Sequence, residues 1–461
     1  MFKKIEIWIL YLVLVLVFIS YIIFGSLVLR EHDKGHHIPV ISQISKASYF
    51  IALIPKNIKK MFISEVRDPN RNKENRFQGK FSFVGKPNLS ENYLLLSRFD
   101  GDIKESVVEL IDLRNFDILH SWNPNLNSLY REVNRTKGSQ FENLIRDAKD
   151  NRARLFHPFF DEDGSLIFHC SSTPLFKIDK NSQKVWMMDD VKYHHSIEED
   201  QIGNFWLCVR YFPYKLDSNV VGNKYGTFLD DGIRKISPTG EILFEKSISE
   251  LFIENEMEYL LFSVGDRKFT RDPIHLNDIQ PVENDTKYWK KGDVFLSLRH
   301  QSMVLLYRPE TNEIIWKGTG KFYHQHDVDI LDDSRISIFD NNSKDFFNGD
   351  IVDGNNRVII YDFETTEYSY YLNESLINED VRTITEGRSQ ILPNGDLFIE
   401  ETNYGRTLYY NANESLKHEF INRADNGQLY FLCWSRILYT DNDLAKVHKF
   451  LHKKEEGLYN D

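Results

Sequence analysis

Cysteine is scarce: three residues in 461 (Cys170, Cys208, Cys433), with no CxxC or other metal-ligand spacing. Three are too few for a disulfide framework, and buried thiols are the plain reading, although a Cys170–Cys208 pair stays open. A chain of this length can instead bury a large hydrophobic core. Excess positive charge is also missing. Lys and Arg number 57 against 69 Asp and Glu, a formal charge of −12, so there is no broad basic footprint and nucleic-acid binding is excluded. What is abundant is aromatic: 33 Phe and 23 Tyr contribute to an aromatic share of 14%, which suits a strand-rich fold.

One long apolar run is present. Ile7 to Leu29 is almost wholly hydrophobic, and about 20 such residues span a bilayer. Lys3 and Lys4 precede it, Arg30 follows, and no small-residue cleavage site stands out near Gly25-Ser26. The expectation is an uncleaved signal-anchor in residues 1–35, the N-terminus cytoplasmic and the body extracytoplasmic or periplasmic. Residues 36–76 read as a juxtamembrane helix and linker. Within them Pro39 to Phe62 is mixed apolar and basic, an amphipathic helix for a membrane surface or a docking helix, and Ser64 to Phe77 is a polar linker.

From residue 77 to 461 the chain repeats a pattern. Hairpins begin at Val107, Pro174, Gly232, Met303, Arg357 and Arg406, each alternating apolar and polar residues, breaking at Asp, Asn, Pro or Gly, then resuming. A short strand precedes each, starting at Asn92, Ser165, Asn204, Asp293, Arg335 and Asp396. Six units of about 60 residues predict an all-β, six-bladed β-propeller, in which small sheets bury their faces by stacking around an axis. A long sandwich or two β domains are the alternatives. FQGKFSFV from Phe77 and GQLYFLCWSRILYT from Gly427 are spare strands available to close the ring.

If the first strand of each unit lies nearest the axis, the residues leading into it face the channel mouth. His157 precedes its strand start by eight positions, His195 and His326 theirs by nine, and Arg388 its own by eight, while His275 has an insertion after it. Equivalent offsets in different units imply a ring of groups around one channel. His194 and His195 are adjacent, so in a strand they face opposite sides; His195 fits the offset and His194 reads as structural. His324 shares the face of His326, while Gln325 does not. Arg299 sits where a strand meets its bend. Arg beside histidines repels a cation and holds sulfate or phosphate bidentately. Together with the missing HxxxH pattern, this leads to an expectation of no metal and no cofactor, with HQHD at His324 the nearest approach to a metal site.

DPIHLNDIQPV, SLRHQS, HQHD, HHSIEEDQIGN, FLDDGIRKISPTGEILFEKS and GRSQILPNGDLFIEETNYGRTLYY together resemble the arylsulfate sulfotransferase (arylsulfotransferase) family, from about Asn92 to the C-terminal strands. The sequence is similar to a divergent membrane-anchored branch of it. The resemblance implies an exported propeller that transfers a sulfuryl group from a phenolic sulfate ester to a phenol acceptor. Neither an adenosine-phosphosulfate donor nor a metal is needed, and a sulfohistidine forms on the way. Carried over by motif, His195 and His275 are channel histidines, Arg299 grips the sulfuryl oxygens and His326 is the nucleophile. Asn277, Tyr323, His324, Arg388 and His157 are candidates for substrate contact, Tyr323 by stacking on the aryl ring.

The sequence alone leaves the partner of the second His326 ring nitrogen open between Asn277, Asp278 and a backbone carbonyl. Asp327 lies on the other strand face. Two other readings stand beside this one: a non-catalytic membrane-anchored propeller that binds a glycan, peptide or protein, and a metal-dependent hydrolase or lyase. Oligomeric state is not readable from the sequence.

Overall fold

The computed structural model describes residues 6–32, 39–66, 74–79, 82–136, 139–142, 144, 151–216, 228–262, 270–346 and 349–458. The chain divides into two compact units, Met1–Pro69 and Asn70–Asp461.

In the first unit, helix α1 (Ile7–His32) has no buried residue. At 1.5 Å per residue its 26 residues reach about 39 Å, against a hydrocarbon core of about 30 Å. It is thus long and apolar enough to cross a membrane. Helix α2 (Pro39–Val66) carries Pro55 inside it. It runs four residues past Phe62 into the stretch read from sequence as linker, whose residues 67–73 lie outside the described residues, as do residues 36–38. Val40, Ile44, Ile51, Ile54 and Ile58 recur at helical spacing and stay exposed, while Ser45 and Ser48 on another side are buried.

The second unit is built of antiparallel sheets in a propeller-like all-β fold. Each sequence hairpin forms, and its polar break does the work expected of it. The Asp179 carboxylate, for example, accepts the backbone N–H groups of Asn181 and Gln183, both at 2.8 Å, closing the turn. Buried apolar side chains fill the gaps between successive sheets. Val108 and Trp122 of one meet Phe160 and Phe168 of the next. Phe295 and Leu306 meet Ile336 and Ile338; Phe339 and Val358 meet Leu397 and Ile399. Phe398 and Tyr409 of the last sheet meet Leu94 and Ile111 of the first, which joins the two ends of the array. Both spare strands have places. Arg436–Leu438 pairs with Tyr93–Leu95 on the first sheet, and Ser82–Gly85 adds an outer strand to the last. Closure of this kind leaves fewer unpaired edges.

One sequence expectation is overturned. The strands at Leu166, Phe205, Val294, Arg335 and Leu397 are the second of their sheets, not the ones at the axis. Outside them, in hydrogen-bond order, lie Phe156–Phe160, the C-terminal half of Lys184–Glu199, Leu276–Pro281, His326–Ile330 and Arg388–Ile391. These strands touch one another from sheet to sheet. Arg436–Leu438 joins them through Arg436 Nη2, which donates to the Ile197 carbonyl at 2.8 Å, and the Ile437 N–H, which donates to Gln390 Oε1 at 3.0 Å. The histidine-bearing segments therefore are the inner strands. Period-2 alternation does not mark them, because they hold polar residues where outer strands hold apolar ones and, Lys184–Glu199 apart, are short. The 16-residue strand Lys184–Glu199 serves two groups of strands: its first part pairs with Thr173–Ile178 and its last with Phe205–Tyr211, with a register shift between Tyr193 and Ile197.

Candidate functional site

The inner strands begin irregularly. Register shifts fall at Phe156/Phe159, Tyr193/Ile197, Leu276/Asp278 and His326/Val328. His157, His195, His275, His324, Asp327 and Trp434 all take positive φ, between 41° and 61°. L-residues other than Gly rarely adopt this region, and such strain collects at functional sites. Its effect is to turn side chains out of the pleat and toward one another.

Three of the four predicted catalytic side chains meet as rings. His195 lies 5.0 Å from His275 and 6.1 Å from His326, centroid to centroid. The fourth, Arg299, begins a single turn after its strand, and its charge is one of the influences that lower the His326 pKa.

His326 is buried, and the Asn341 Oδ1 lies 2.6 Å from its Nδ1. Asn341 cannot turn its amide round, because its Nδ2 donates to the carbonyls of Glu386 (2.7 Å) and Thr383 (3.0 Å). Nδ1 of His326 must therefore carry the proton, and Nε2 keeps its lone pair. The Glu386 N–H approaches that lone pair at 3.3 Å. Burial, then the Arg299 charge, holds the imidazole well below its ordinary pKa, so it is neutral. The orienting partner is thus Asn341, not Asn277, Asp278 or a carbonyl. Asp327 is turned away, accepting from Ser389 N–H at 2.9 Å and facing Arg388 at 3.2 Å.

His275 places Nδ1 2.7 Å from the Asp272 carboxylate. Burial outweighs this partner, pulling the His275 pKa down to about 4. Beside it at 4.3 Å is the ring of His300. Arg299 is nearly buried at 7% exposure. Its Nη1 lies 2.8 Å from His300 Nε2; Nε and Nη2 make no hydrogen bond, and the Asp350 carboxylate faces Nη2 at 3.8 Å. Buried guanidinium N–H groups left unsatisfied cost stability unless an acceptor arrives.

The predicted substrate contacts divide. His324 is half-buried with Nδ1 unpartnered, and burial followed by Arg299 takes its pKa to about 4. Tyr323 is 39% exposed at the rim, with Lys344 Nζ 4.8 Å from its ring centre. Asn277 is fully buried and donates to the Gln325 carbonyl at 2.7 Å, which anchors the approach to His326. His157 and Arg388 lie against each other. The Ile197 N–H donates to His157 Nδ1 at 3.1 Å, so these two side chains are engaged within the protein.

Sequence reasoning missed Asn341, His300, Asp272 and Trp434. His300 and Asp272 stood inside quoted motifs. Trp434 was hidden in a spare strand; its buried ring lies 5.9 Å from both His195 and His326 and 5.5 Å from His157. Asn341 carries no local signal at all.

Asp272, His275 and His300 also offer ligand atoms within 4.8 Å of one another. Both His300 nitrogens are already occupied, Nε2 by Arg299 and Nδ1 by the Asp272 carbonyl at 2.7 Å. A guanidinium in contact disfavours a cation there.

Imidazoles and buried guanidinium groups with unsatisfied N–H groups thus gather where the inner strands of a propeller-like protein meet. The family model described as arylsulfotransferase (ASST) matches residues 158–423, and the chain belongs to that family. No curated protein matches. Among solved structures, a Bacteroides caccae protein of unknown function is 13% identical, over 75% of this chain and 98% of its own, with a TM-score of 0.44. The Dos1 propeller is 9% identical (74% and 75% covered, TM-score 0.36). A virginiamycin B lyase from Staphylococcus aureus is 11% identical (74% and 87%, TM-score 0.33).

Proposed function

We propose that this protein is an aryl sulfotransferase that moves a sulfuryl group from a phenolic sulfate ester to a phenol without a nucleotide donor or a metal. The reaction is ping-pong, through a sulfohistidine on His326. One observation carries this reading: a neutral His326 whose Nδ1 is committed to Asn341 and whose Nε2 keeps a lone pair. Unsatisfied N–H groups on Arg299 support it.

Sulfuryl transfer, like phosphoryl transfer, passes through a loose in-line transition state, so the protein positions the groups and stabilises charge. His326 Nε2 attacks sulfur. Arg299 binds the sulfuryl oxygens through its free N–H groups. Phenol has a pKa near 10, so the departing oxygen needs a proton at neutral pH. His195 and His275 are assigned to that oxygen; burial holds both neutral at rest, so the proton is taken up only with the anionic donor bound. Such acid catalysis contributes about 10²–10⁴ in rate. His324 and Tyr323 line the entrance, while Asn277, His157 and Arg388 support the inner strands.

Counting Lys184–Glu199 once with each of its neighbours favours six blades, five of four strands and the last of five. In this reading α1 anchors the chain and the catalytic unit lies on the extracytoplasmic, periplasmic side. The test is to supply the full-length protein, in detergent, with an aryl sulfate and a second phenol, with and without a chelator. Transfer is expected to be indifferent to the chelator and lost in His326→Ala. A His326→Ala variant that transfers at the wild-type rate refutes the nucleophile.

A further inference from the structure

Read as neighbours in a strand, His194 and His195 face opposite ways. The structure brings their rings together. With φ at +61° on His195 and the register shift between Tyr193 and Ile197, the two Nδ1 atoms lie 2.7 Å apart. His194 is fully buried. Its Nε2 has no hydrogen bond within the normal range, and the nearest charged atom is Asp231 Oδ1 at 3.4 Å. Asp231 is fully buried as well. Arg210 Nε donates to the same oxygen at 2.8 Å, and the Leu276 N–H to the other at 2.9 Å. Burial works against its charge, yet Arg210, then His194, keep the carboxyl below its ordinary pKa, so it is ionised.

Resting on the transferase reading above, we infer that His194 is a positioning residue that links Asp231 to His195 and sets which ring nitrogen of His195 exchanges a proton with the phenols. A carboxylate facing Nε2 of His194 favours a proton there. Nδ1 of His194 is then an acceptor, and the short Nδ1–Nδ1 contact requires His195 to donate from its own Nδ1. His195 Nε2 is left to the channel, where the rings of His275 and His326 stand.

The proton balance follows. As the anionic donor binds, His195 Nε2 takes one proton from solvent, and the resulting positive charge is stabilised through His194 by Asp231. The His326 Nε2–S bond forms while the S–O(aryl) bond breaks. Its electron pair leaves on the aryl oxygen, which takes the proton from His195 Nε2 and departs as a phenol. In the second half the acceptor phenol gives its proton to His195 Nε2 as its oxygen attacks sulfur. The N–S pair returns to His326, and the proton returns to solvent once the product leaves. Burial, then the charged forms of His194, His275, His326 and Arg210, hold the His195 pKa well below its ordinary value, so its Nε2 is bare at rest and takes the proton only beside the anionic donor; His169 meets its backbone carbonyl.

His275 has its own carboxylate, Asp272, and so does not depend on His194. This makes the two histidines separable by experiment. Full-length His194→Phe and His194→Asn variants are compared with wild type on two donors: nitrophenyl sulfate, whose leaving group departs without a proton, and an unactivated phenyl sulfate. In His194→Phe, which offers no acceptor, the first half-reaction, read as the burst of phenol released from the unactivated donor, is expected to slow by about 100-fold or more. From nitrophenyl sulfate it should slow by less than about 10-fold, and His194→Asn, whose carbonyl accepts, should recover most of the loss. Equal losses on both donors, or no loss, overturn the inference. Ring-nitrogen NMR of 15N-histidine-labelled wild type and His194→Phe decides the linkage without any turnover. A wild-type His195 protonated at Nδ1 that becomes a tautomer mixture in the variant supports it, and an unchanged His195 spectrum overturns it. A wild type inert toward every aryl sulfate, with the linkage spectra as expected, refutes the transferase reading and not the hydrogen-bonded pair.

Discussion

Replacing Asn341 by Ala removes the group that dictates the His326 tautomer. The side chain makes three hydrogen bonds: its oxygen with His326 Nδ1 at 2.6 Å, and its amide to Thr383 O at 3.0 Å and Glu386 O at 2.7 Å. Thr383 O keeps a second donor, Asn356 Nδ2 at 3.0 Å, so the main structural loss is at Glu386 O. One buried acceptor left unpaired costs about 1–3 kcal/mol. The catalytic loss arises differently. Before reaction the Nδ1–H···O bond joins two neutral groups; once sulfur is attached, the ring carries positive charge and the bond strengthens. Neutral bonds contribute about 0.5–1.5 kcal/mol and charged ones about 1.5–3, a difference of roughly 1–1.5 kcal/mol. At 1.36 kcal/mol per decade this slows formation of the intermediate about 5–12-fold. Tautomer freedom deepens the loss, because molecules protonated at Nε2 cannot attack. The burst of phenol released from an aryl sulfate in rapid-mixing experiments should therefore slow by about 10-fold or more, with little change in KM. Asn341→Asp keeps an acceptor but adds a charge that raises the His326 pKa, so its activity should fall as pH is lowered over a range where wild type is flat. An Ala variant with the wild-type burst rate, or one whose whole effect lies in KM, refutes the tautomer argument.

Two further predictions concern charge. Arg299→Ala should lose about 30-fold or more in kcat/KM, the consequence of removing a buried charged partner valued at about 2–5 kcal/mol. Added guanidinium should restore part of it, and failure of both Arg299→Lys and guanidinium to differ from Ala would argue against a fork-shaped grip. His169 is buried, which takes its pKa to about 3 against an ordinary 6.5. The unfolded chain therefore binds the proton more readily between those values, and this group's contribution to stability is lost as pH falls through that window. His169→Gln should flatten the fall in melting temperature between about pH 6.5 and 4; an unchanged slope would show that other groups set it.

Much was legible without coordinates because it is local. Period-2 alternation and polar breaks mark the hairpins, as at Asp179, where the side chain itself closes the turn. The run from Ile7 marks α1, since an apolar stretch of that length is long enough to cross a bilayer. The motifs around His195, His275, Arg299 and His326 pointed to the family, and side chains distant in sequence do meet. Local reasoning failed where backbone geometry departs from the ideal. Adjacent residues in a flat strand cannot touch, so His194 was read as facing away; a positive φ and a register shift reverse that. The inner strands are mostly short and polar, so sequence pattern marks them only as approaches to strands, and pairing with their neighbours identifies them.

Composition and pattern determined the fold class, the membrane-length helix and the residue types on hand for chemistry, because each depends on near neighbours in the chain. Which nitrogen of His326 is left unprotonated, which Arg299 N–H groups lack a hydrogen bond, and which carboxylate stands behind each auxiliary histidine were decided by tertiary structure. Asn341, Asp231 and Trp434 arrive from other segments of the chain, and a hydrogen bond reads distance in space, not separation in sequence.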